Sequence, residues 1–256
     1  MKIKGFDILR EHAPELESRW GRWRPMLSIG GVFVLTTLFF IAADRDFAEW
    51  MPDGEIVVLT LGFLVLSRFF SQREVYRRKY GELSYRMAFR RFYVPGVGII
   101  MASIAHLAYI AGPGIPHIWW KPWLVAAGWL LVLLGAALGL RTAPVAGIDN
   151  LAMLHIYHPA EADLLKSKIY STVRHPLDSA ALAIGFGLAL IHANWYGLLV
   201  GLILPIFFAG WVRLIEEPEL MRRFASYVDY RRRVPAFWPK PSGWLDFFKY
   251  LILPDK

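Results

Sequence analysis

The chain has 256 residues, of which 56% are hydrophobic and none is cysteine, and its formal net charge is +8. Soluble domains usually have about 45–50% apolar residues, so the excess predicts contact with lipid, and the lack of cysteine excludes disulfides, thiolate catalysis and cysteine-bound metals. The basic residues gather at the ends of apolar runs, where membrane topology and anionic headgroups explain them better than nucleic acid, for which no motif is present.

The N-terminal segment, residues 1–24, carries charges throughout and ends with Arg22 and Arg24. The first apolar run begins too late and is too long to be the apolar region of a secretory signal peptide. We therefore expect a short amphipathic segment that lies on the membrane surface before the first span.

The apolar runs predict an all-α, polytopic integral membrane protein with about six membrane helices. Runs of about 17–20 residues suffice to cross a hydrocarbon core of roughly 30 Å. The predicted spans are 25–43, 56–70, 94–110, 122–140 and two within 180–211. The stretch HANWYG (192–197) interrupts the last run, so the final two spans should form a helical hairpin. Tryptophans and tyrosines near the breaks are typical of an interfacial aromatic belt.

The charges of the loops predict how the chain is oriented in the membrane. In chain order the loops are acidic at 44–55, basic at 68–91, nearly neutral at 111–121 and basic again at 141–175. With six spans every basic loop lies on one side, so the positive-inside rule predicts cytoplasmic termini. The chain then divides into a cytoplasmic N-terminal segment (1–24), four spans (25–140) and a C-terminal core with hairpin and tail (141–256).

The polar residues that could carry chemistry lie in the last third of the chain. Arg174, His175 and Pro176 precede the predicted hairpin in the stretch STVRHPLDSA, and Glu216 and Glu217 follow it. A hairpin returns to the side that it left, so the two groups should meet at the cytoplasmic edge. Pro176 can begin a helix, because the N–H that proline lacks is not needed there.

Simpler explanations remain open for several of these residues taken singly. Under these explanations, Arg174 is an ordinary basic residue flanking a membrane helix and His175 is a structural histidine. The two glutamates at a helix end are then a solvated pair. Arg213 precedes the glutamates by three and four residues, so on a helix its guanidinium could meet one of them. The stretch HIYH (155–158) has the spacing of two metal ligands, but the sequence places no third ligand, so we expect no metal site.

Taken together, these stretches resemble the isoprenylcysteine carboxyl methyltransferase and phospholipid methyltransferase superfamily. YSTVRHP, an apolar hairpin, EEPEL, RFASYVDY and VPAFWP follow in the order and spacing of that superfamily within residues 170–239. The first 140 residues match it only as generic spans. The matching positions are Tyr170, Val173, Arg174, His175, Pro176, Glu216, Glu217, Leu220, Phe224, Tyr227, Tyr230, Val234, Pro235 and Pro239.

The resemblance implies a membrane-embedded methyltransferase that uses S-adenosylmethionine near the cytoplasmic face and methylates a lipophilic or membrane-partitioned acceptor. Such an acceptor is the carboxylate of an isoprenylcysteine-like group or a lipid amine. Carboxylates and aromatic faces suit the sulfonium cation, and His175 or a glutamate could take a proton from an amine acceptor. By resemblance, Arg174 and Glu217 have catalytic roles, and the cofactor-binding residues are Tyr170, His175, Pro176, Glu216, Glu217, Tyr227 and Tyr230.

The chain departs from the superfamily pattern at several positions. Asp178 stands where the pattern has tyrosine, Ala180 and Ala225 stand where it has glycine, and KSKI (166–169) replaces a small turn. Asp178 either adds a negative charge to the acceptor pocket, or it caps a helix or pairs with Arg174.

Two other functions stay open at the sequence level. A nicotinamide-dependent sterol-type reductase has a related R-H-P region, but with R-H-P-N-Y where this chain has RHPLD. A non-catalytic membrane protein of similar fold, like the denitrification-associated proteins with an R-H-P-L motif, is the second alternative. The identity of the acceptor, the oligomeric state and the role of the basic 68–91 segment do not follow from the sequence.

Overall fold

The structure is a computed structural model that describes residues 3–161 and 163–253. These residues form helices and connecting turns without any β-strand, which confirms the all-α prediction. The α-helices are α1 (Phe6–His12), α2 (Arg19–Phe47), α3 (Met51–Ser71), α4 (Arg73–Tyr80), α5 (Ser84–Ala88), α6 (Val94–His106), α7 (Lys121–Ala146), α8 (Ile148–Leu151), α9 (Pro176–His192), α10 (Trp195–Trp211), α11 (Glu217–Arg223), α12 (Tyr227–Arg233) and α13 (Trp244–Ile252). Short 3-10 helices are Pro14–Glu17, Ala48–Trp50, Gly81–Leu83, Leu154–Ile156, Pro159–Glu161, Lys168–Ser171 and Pro241–Gly243, and π-helical turns are Phe89–Tyr93 and Val212–Glu216.

Three stretches of the described chain are long and apolar enough to cross a membrane: Arg19–Ser71, Lys121–Ala146 and Trp195–Arg223. The first contains two helices, α2 and α3, because the chain turns at Ala48–Trp50. Large apolar side chains such as Leu35, Leu140 and Ile206 point outward from these helices, as expected of surfaces that contact lipid. The protein is therefore a membrane protein, while the count of six spans and the orientation remain predictions.

The N-terminal segment differs from the sequence-based expectation. Ser18 caps α2, since its hydroxyl oxygen accepts a hydrogen bond from the N–H of Gly21 at 2.9 Å, and side-chain caps of this kind start helices. Helix α2 thus begins at Arg19 and includes Arg22 and Arg24. Helix α1 does not merely lie on the membrane surface, because its buried Leu9 joins an apolar cluster of the protein.

Helices α7 and α9 pack with their backbones in close contact. A Cβ atom on Gly128 would lie 2.7 Å from the carbonyl oxygen of Gly187, and one on Gly187 would lie 2.7 Å from that of Gly128. Gly135 approaches the backbone of Ala180 in the same way. Small residues allow such contact between helices in lipid, where van der Waals packing drives association. This seam fixes the position of α9, which begins directly after Arg174 and His175.

The predicted helical hairpin is present as α9 and α10. Between them, Ala193 adopts a left-handed conformation with φ of 54°, and the side-chain oxygen of Asn194 caps α10 by accepting from the N–H of Gly197 at 2.6 Å. Helix α10 also packs on α3, where Phe63 meets Phe208 edge to face. The hairpin returns the chain to the end of the bundle at which α9 began, so residues 174–176 and 216–217 become neighbours.

Candidate functional site

The backbone of the RHP stretch is held by the tail of the chain. The N–H groups of Arg174 and His175 donate to the carbonyl oxygens of Pro235 and Ala236, both at 2.9 Å. The hydroxyl of Ser179, one turn into α9, donates to the carbonyl oxygen of Phe237 at 2.6 Å. Residues distant in sequence thus fix where the side chains of Arg174 and His175 point, and Pro176 follows as the first residue of α9.

Glu217 is the centre of a buried polar network. One of its carboxylate oxygens accepts from Nη2 of Arg174 at 2.5 Å and from the hydroxyl of Tyr227 at 3.3 Å. The other oxygen lies 2.9 Å from Nε of Arg231, and Arg174 also donates to the carbonyl oxygens of Arg231 and Val234. Only 2% of Glu217 is exposed. A buried carboxylate needs such partners, so this network joins Arg174, which lies just before α9, to α11 and α12.

The π-helical turn Val212–Glu216 determines which cation the glutamates meet. A π turn adds a residue to the helical register, so the spacing of an ordinary α-helix does not hold there. Arg213 is exposed, and Glu217 pairs with Arg174 and Arg231 instead. A contact of Arg213 with either glutamate, expected from the i, i+4 rule, is not formed.

His175 is surrounded by carboxylates. Its Nδ1 atom lies 3.3 Å from Oε1 of Glu216 and 4.0 Å from Oδ2 of Asp178, and its Nε2 atom lies 3.6 Å from Glu217. Burial alone disfavours the charged imidazole, but the charge of Glu216, hydrogen bonds to Glu216 and Glu217 and the charge of Asp178 outweigh it and raise the pKa of His175 to about 10. His175 is therefore an imidazolium at neutral pH.

A cavity of about 680 Å³ opens beside these residues, within the usual range of about 300–1,000 Å³ for small-molecule sites. Its polar end is lined by Tyr170, Arg174, His175, Pro176, Asp178, Glu216, Tyr227 and Tyr230. Its apolar end extends between α3, α6, α9 and α10 and is lined by Phe63, Leu66, Val97, Ile100, Ile104, Ile184, Phe208 and Trp211. One continuous space thus joins ionisable groups to a hydrocarbon-like interior.

The structure brings together nearly all the site residues that the sequence predicted. Tyr170, Arg174, His175, Pro176, Glu216, Tyr227 and Tyr230 line the cavity, whereas Glu217 does not and lies behind its wall. The hydroxyl of Tyr230 donates to the carbonyl oxygen of Tyr170 at 2.6 Å. Burial raises the pKa of Tyr170 and that of Tyr227, so both stay neutral phenols. The geometry thus gives Glu217 a positioning role, through Arg174 and His175.

The segment between α7 and α9 forms a wall of the cavity that sequence reasoning missed. Asn150, Met153, His155 and Asp163 contribute to its lining. Burial, with the charge of Arg223, lowers the pKa of His155 to about 3, so this imidazole is neutral. The HIYH pattern drew attention to His155 only as half of a metal pair, and it contains no signal that His155 faces a cavity.

One known family matches part of the chain. Residues 123–226 match the model of the phospholipid methyltransferase family. The match covers α7, the RHP stretch, the hairpin and EEPEL, and it ends just before Tyr227. It confirms the resemblance found in the sequence, since this family is part of the isoprenylcysteine carboxyl methyltransferase and phospholipid methyltransferase superfamily.

One similar curated protein is the nickel-cobalt-cadmium resistance protein NccN of Alcaligenes xylosoxydans xylosoxydans. The two sequences are 27% identical over 159 residues, which cover 61% of this chain and 70% of NccN. No solved structure matches the chain significantly.

Proposed function

We propose that the protein is an S-adenosylmethionine-dependent methyltransferase that acts inside the membrane on a lipophilic acceptor. The observation that carries this proposal is one continuous cavity with a charged, aromatic end and an apolar end between helices. Such a shape suits a reaction between a polar cofactor and an acceptor dissolved in the bilayer. The match of residues 123–226 to the phospholipid methyltransferase family supports the same reaction class.

The residues at the polar end fit the chemistry of the cofactor. The carboxylates of Glu216 and Asp178 and the rings of Tyr170 and Tyr227 line the cavity and would stabilise a sulfonium cation. The positive charges of Arg174 and His175 would hold the carboxylate of the methionine moiety. When bound, the cofactor supplies an electrophilic methyl group.

The charge of His175 limits which residue can act as a base. Since the carboxylates around His175 raise its pKa to about 10, it is already protonated at neutral pH and cannot take a proton from an acceptor. A carboxylate acceptor would need no base, whereas an amine acceptor would have to give its proton to Glu216 or Asp178. The protein's contribution is then mainly alignment of acceptor and methyl group in the cavity.

The proposal is tested by calorimetric titration of the protein, purified in detergent, with S-adenosylhomocysteine. We expect saturable binding at one site per chain and a large loss of affinity in Arg174→Ala. The control His117→Ala removes an exposed histidine that does not line the cavity and should not change the affinity. Lack of binding at millimolar ligand would contradict the proposal and favour a non-catalytic protein of the same fold. Binding of NADPH in its place would favour the reductase alternative.

A further inference from the structure

The second histidine of the HIYH pattern, His158, belongs to a cluster away from the cavity. His158 and Glu161 lie beside His12 at the end of α1, and one ring nitrogen of each histidine and one carboxylate oxygen lie within 4.8 Å of one another. The rings of His12 and His158 are stacked, with centroids 3.5 Å apart. His155 takes no part in it. Two residues complete the set with His158: His12, which lies 146 positions earlier in the chain, and Glu161, which ends the 3-10 helix Pro159–Glu161.

An apolar core packs against the cluster of His12, His158 and Glu161. Leu9 of α1 and Leu154, Ile156 and Tyr157 of the following loop are buried in one cluster, and the ring of Tyr85 packs edge-on against that of His158. Packing thus holds His12 and His158 close together before any ligand arrives, and binding would require their stacked rings to tilt so that a lone pair of each points at the ion.

The donors are not fully used within the protein. Nε2 of His12 pairs with Oε1 of Glu161 at 2.6 Å, but Nε2 of His158 is shielded from solvent and has no hydrogen-bond partner among the described residues. The side chains of His12 and Glu161 are 22% and 34% exposed. An ion could therefore reach the cluster from solvent and find a buried imidazole nitrogen without a hydrogen-bond partner.

We propose that His12, His158 and Glu161 form a binding site for a first-row divalent transition metal ion. Two imidazoles and one carboxylate are a donor set that suits Zn²⁺, Co²⁺ and Ni²⁺ rather than Mg²⁺ or Ca²⁺. Bond lengths of about 2.0–2.2 Å in tetrahedral geometry put an imidazole nitrogen and a carboxylate oxygen about 3.3 Å apart. The His12–Glu161 pair, at 2.6 Å, would have to open by under an ångström, which the exposed side chain of Glu161 permits.

Cobalt binding to the full-length protein tests this site. The protein is prepared in detergent without a histidine tag, stripped with chelator, and titrated with Co²⁺ by calorimetry and visible absorption. We expect one Co²⁺ per chain with ligand-field bands of a nitrogen and oxygen site. His158→Ala and Glu161→Gln should each weaken binding by about tenfold or more, whereas His117→Ala should leave it unchanged.

Two further measurements distinguish this site from the His175 cluster and from a folding defect. Because His175, Asp178 and Glu216 also bring three donors together, His175→Ala is titrated in parallel, and Co²⁺ affinity should persist in it. Because Glu161 is exposed, Glu161→Gln should fold normally, and Zn²⁺ should raise the melting temperature of the unsubstituted protein but not of this variant. Equal Co²⁺ affinity in Glu161→Gln, His158→Ala and the unsubstituted protein, or loss of binding only in His175→Ala, would overturn the proposal.

Discussion

Two buried clusters of histidine and carboxylates lie at opposite ends of α3 and α6 in the described part of the chain. At one end, His175 lies among Glu216, Glu217 and Asp178 and faces the large cavity. At the other, His106 is hydrogen-bonded to Glu55 and lies 3.1 Å from Asp44. In composition the two clusters are nearly the same.

Their surroundings differ. The ring of Phe40 is stacked on His106 at 4.0 Å, and neither His106 nor Glu55 has exposed surface or lines the cavity. Asp44 is further tied to the N–H of Ala111 at 3.1 Å. The His106 cluster thus joins the ends of α2, α3 and α6, whereas the His175 cluster joins helices and also leaves carboxylates facing open space. A buried histidine with carboxylates becomes a candidate site only where a cavity reaches it.

Removing Glu217 should have the largest effect on both stability and binding. In Glu217→Ala the buried Arg174 loses its anion, which costs about 3–5 kcal/mol for a buried pair; the lower end applies because the partner Arg231 is 38% exposed. Affinity for S-adenosylhomocysteine should fall on the order of a hundredfold. Denaturation in detergent and calorimetry measure the two effects. Glu216→Gln is the matched control for stability, and an equal loss of stability there would contradict the central role of Glu217.

His106→Ala should separate the two clusters. This change leaves the buried side chain of Glu55 without its hydrogen-bond partner, so we expect a loss of about 1–3 kcal/mol in unfolding free energy. Affinity of the folded protein for S-adenosylhomocysteine should stay within about twofold, since additive behaviour is usual for sites more than about 10 Å apart. A parallel loss of ligand affinity would show that the two ends of α3 and α6 are coupled.

The charge of His175 predicts a pH dependence. Its pKa is about 10 in the folded protein and about 6.5 when unfolded, so its protonation stabilises the fold fully below about pH 6.5, and this contribution is lost as the pH rises through 10. Affinity for S-adenosylhomocysteine should be about tenfold lower at pH 11 than at pH 8, because about one tenth of the imidazolium then remains. Tyrosines and lysines also titrate there, so His175→Gln is the control: an equally steep decline in that variant would assign the effect to other groups.

Asp178→Asn should have the smallest effect and a selective one. Asp178 lines the polar end of the cavity with its side chain 25% exposed. Burial and the charge of Glu216 raise the pKa of Asp178 to about 7, so the comparison is made at pH 8, where its carboxylate is mostly ionised. One negative charge near a cation at this depth is worth about 1 kcal/mol or slightly less, so S-adenosylmethionine should bind about threefold to fivefold more weakly. S-adenosylhomocysteine has no sulfonium charge and should be affected less. Equal changes for both ligands would indicate that Asp178 acts through His175 or only at the start of α9.

The sequence predicted those residues of the candidate site that lie in short motifs. The order of YSTVRHP, hairpin, EEPEL and YVDY located Tyr170, His175, Glu216 and Tyr227, because a hairpin must return its second helix to the side on which the first began. The role of Glu217 was not readable in this way. Its partners Arg174 and Arg231 depend on the π turn before α11 and on the tail that pairs with residues 174–175.

The sequence by itself determined that this is a helical membrane protein. Its apolar runs and charged loops indicate this, because placing charges in hydrocarbon costs free energy. It also indicated the resemblance to the methyltransferase superfamily, because the motifs that carry this resemblance are local. Only the tertiary structure decided that the segment after α7 forms a wall of the cavity, that His155 faces it, and that His158 turns instead toward His12. These contacts join residues far apart along the chain, and their energies depend on packing that no local pattern encodes.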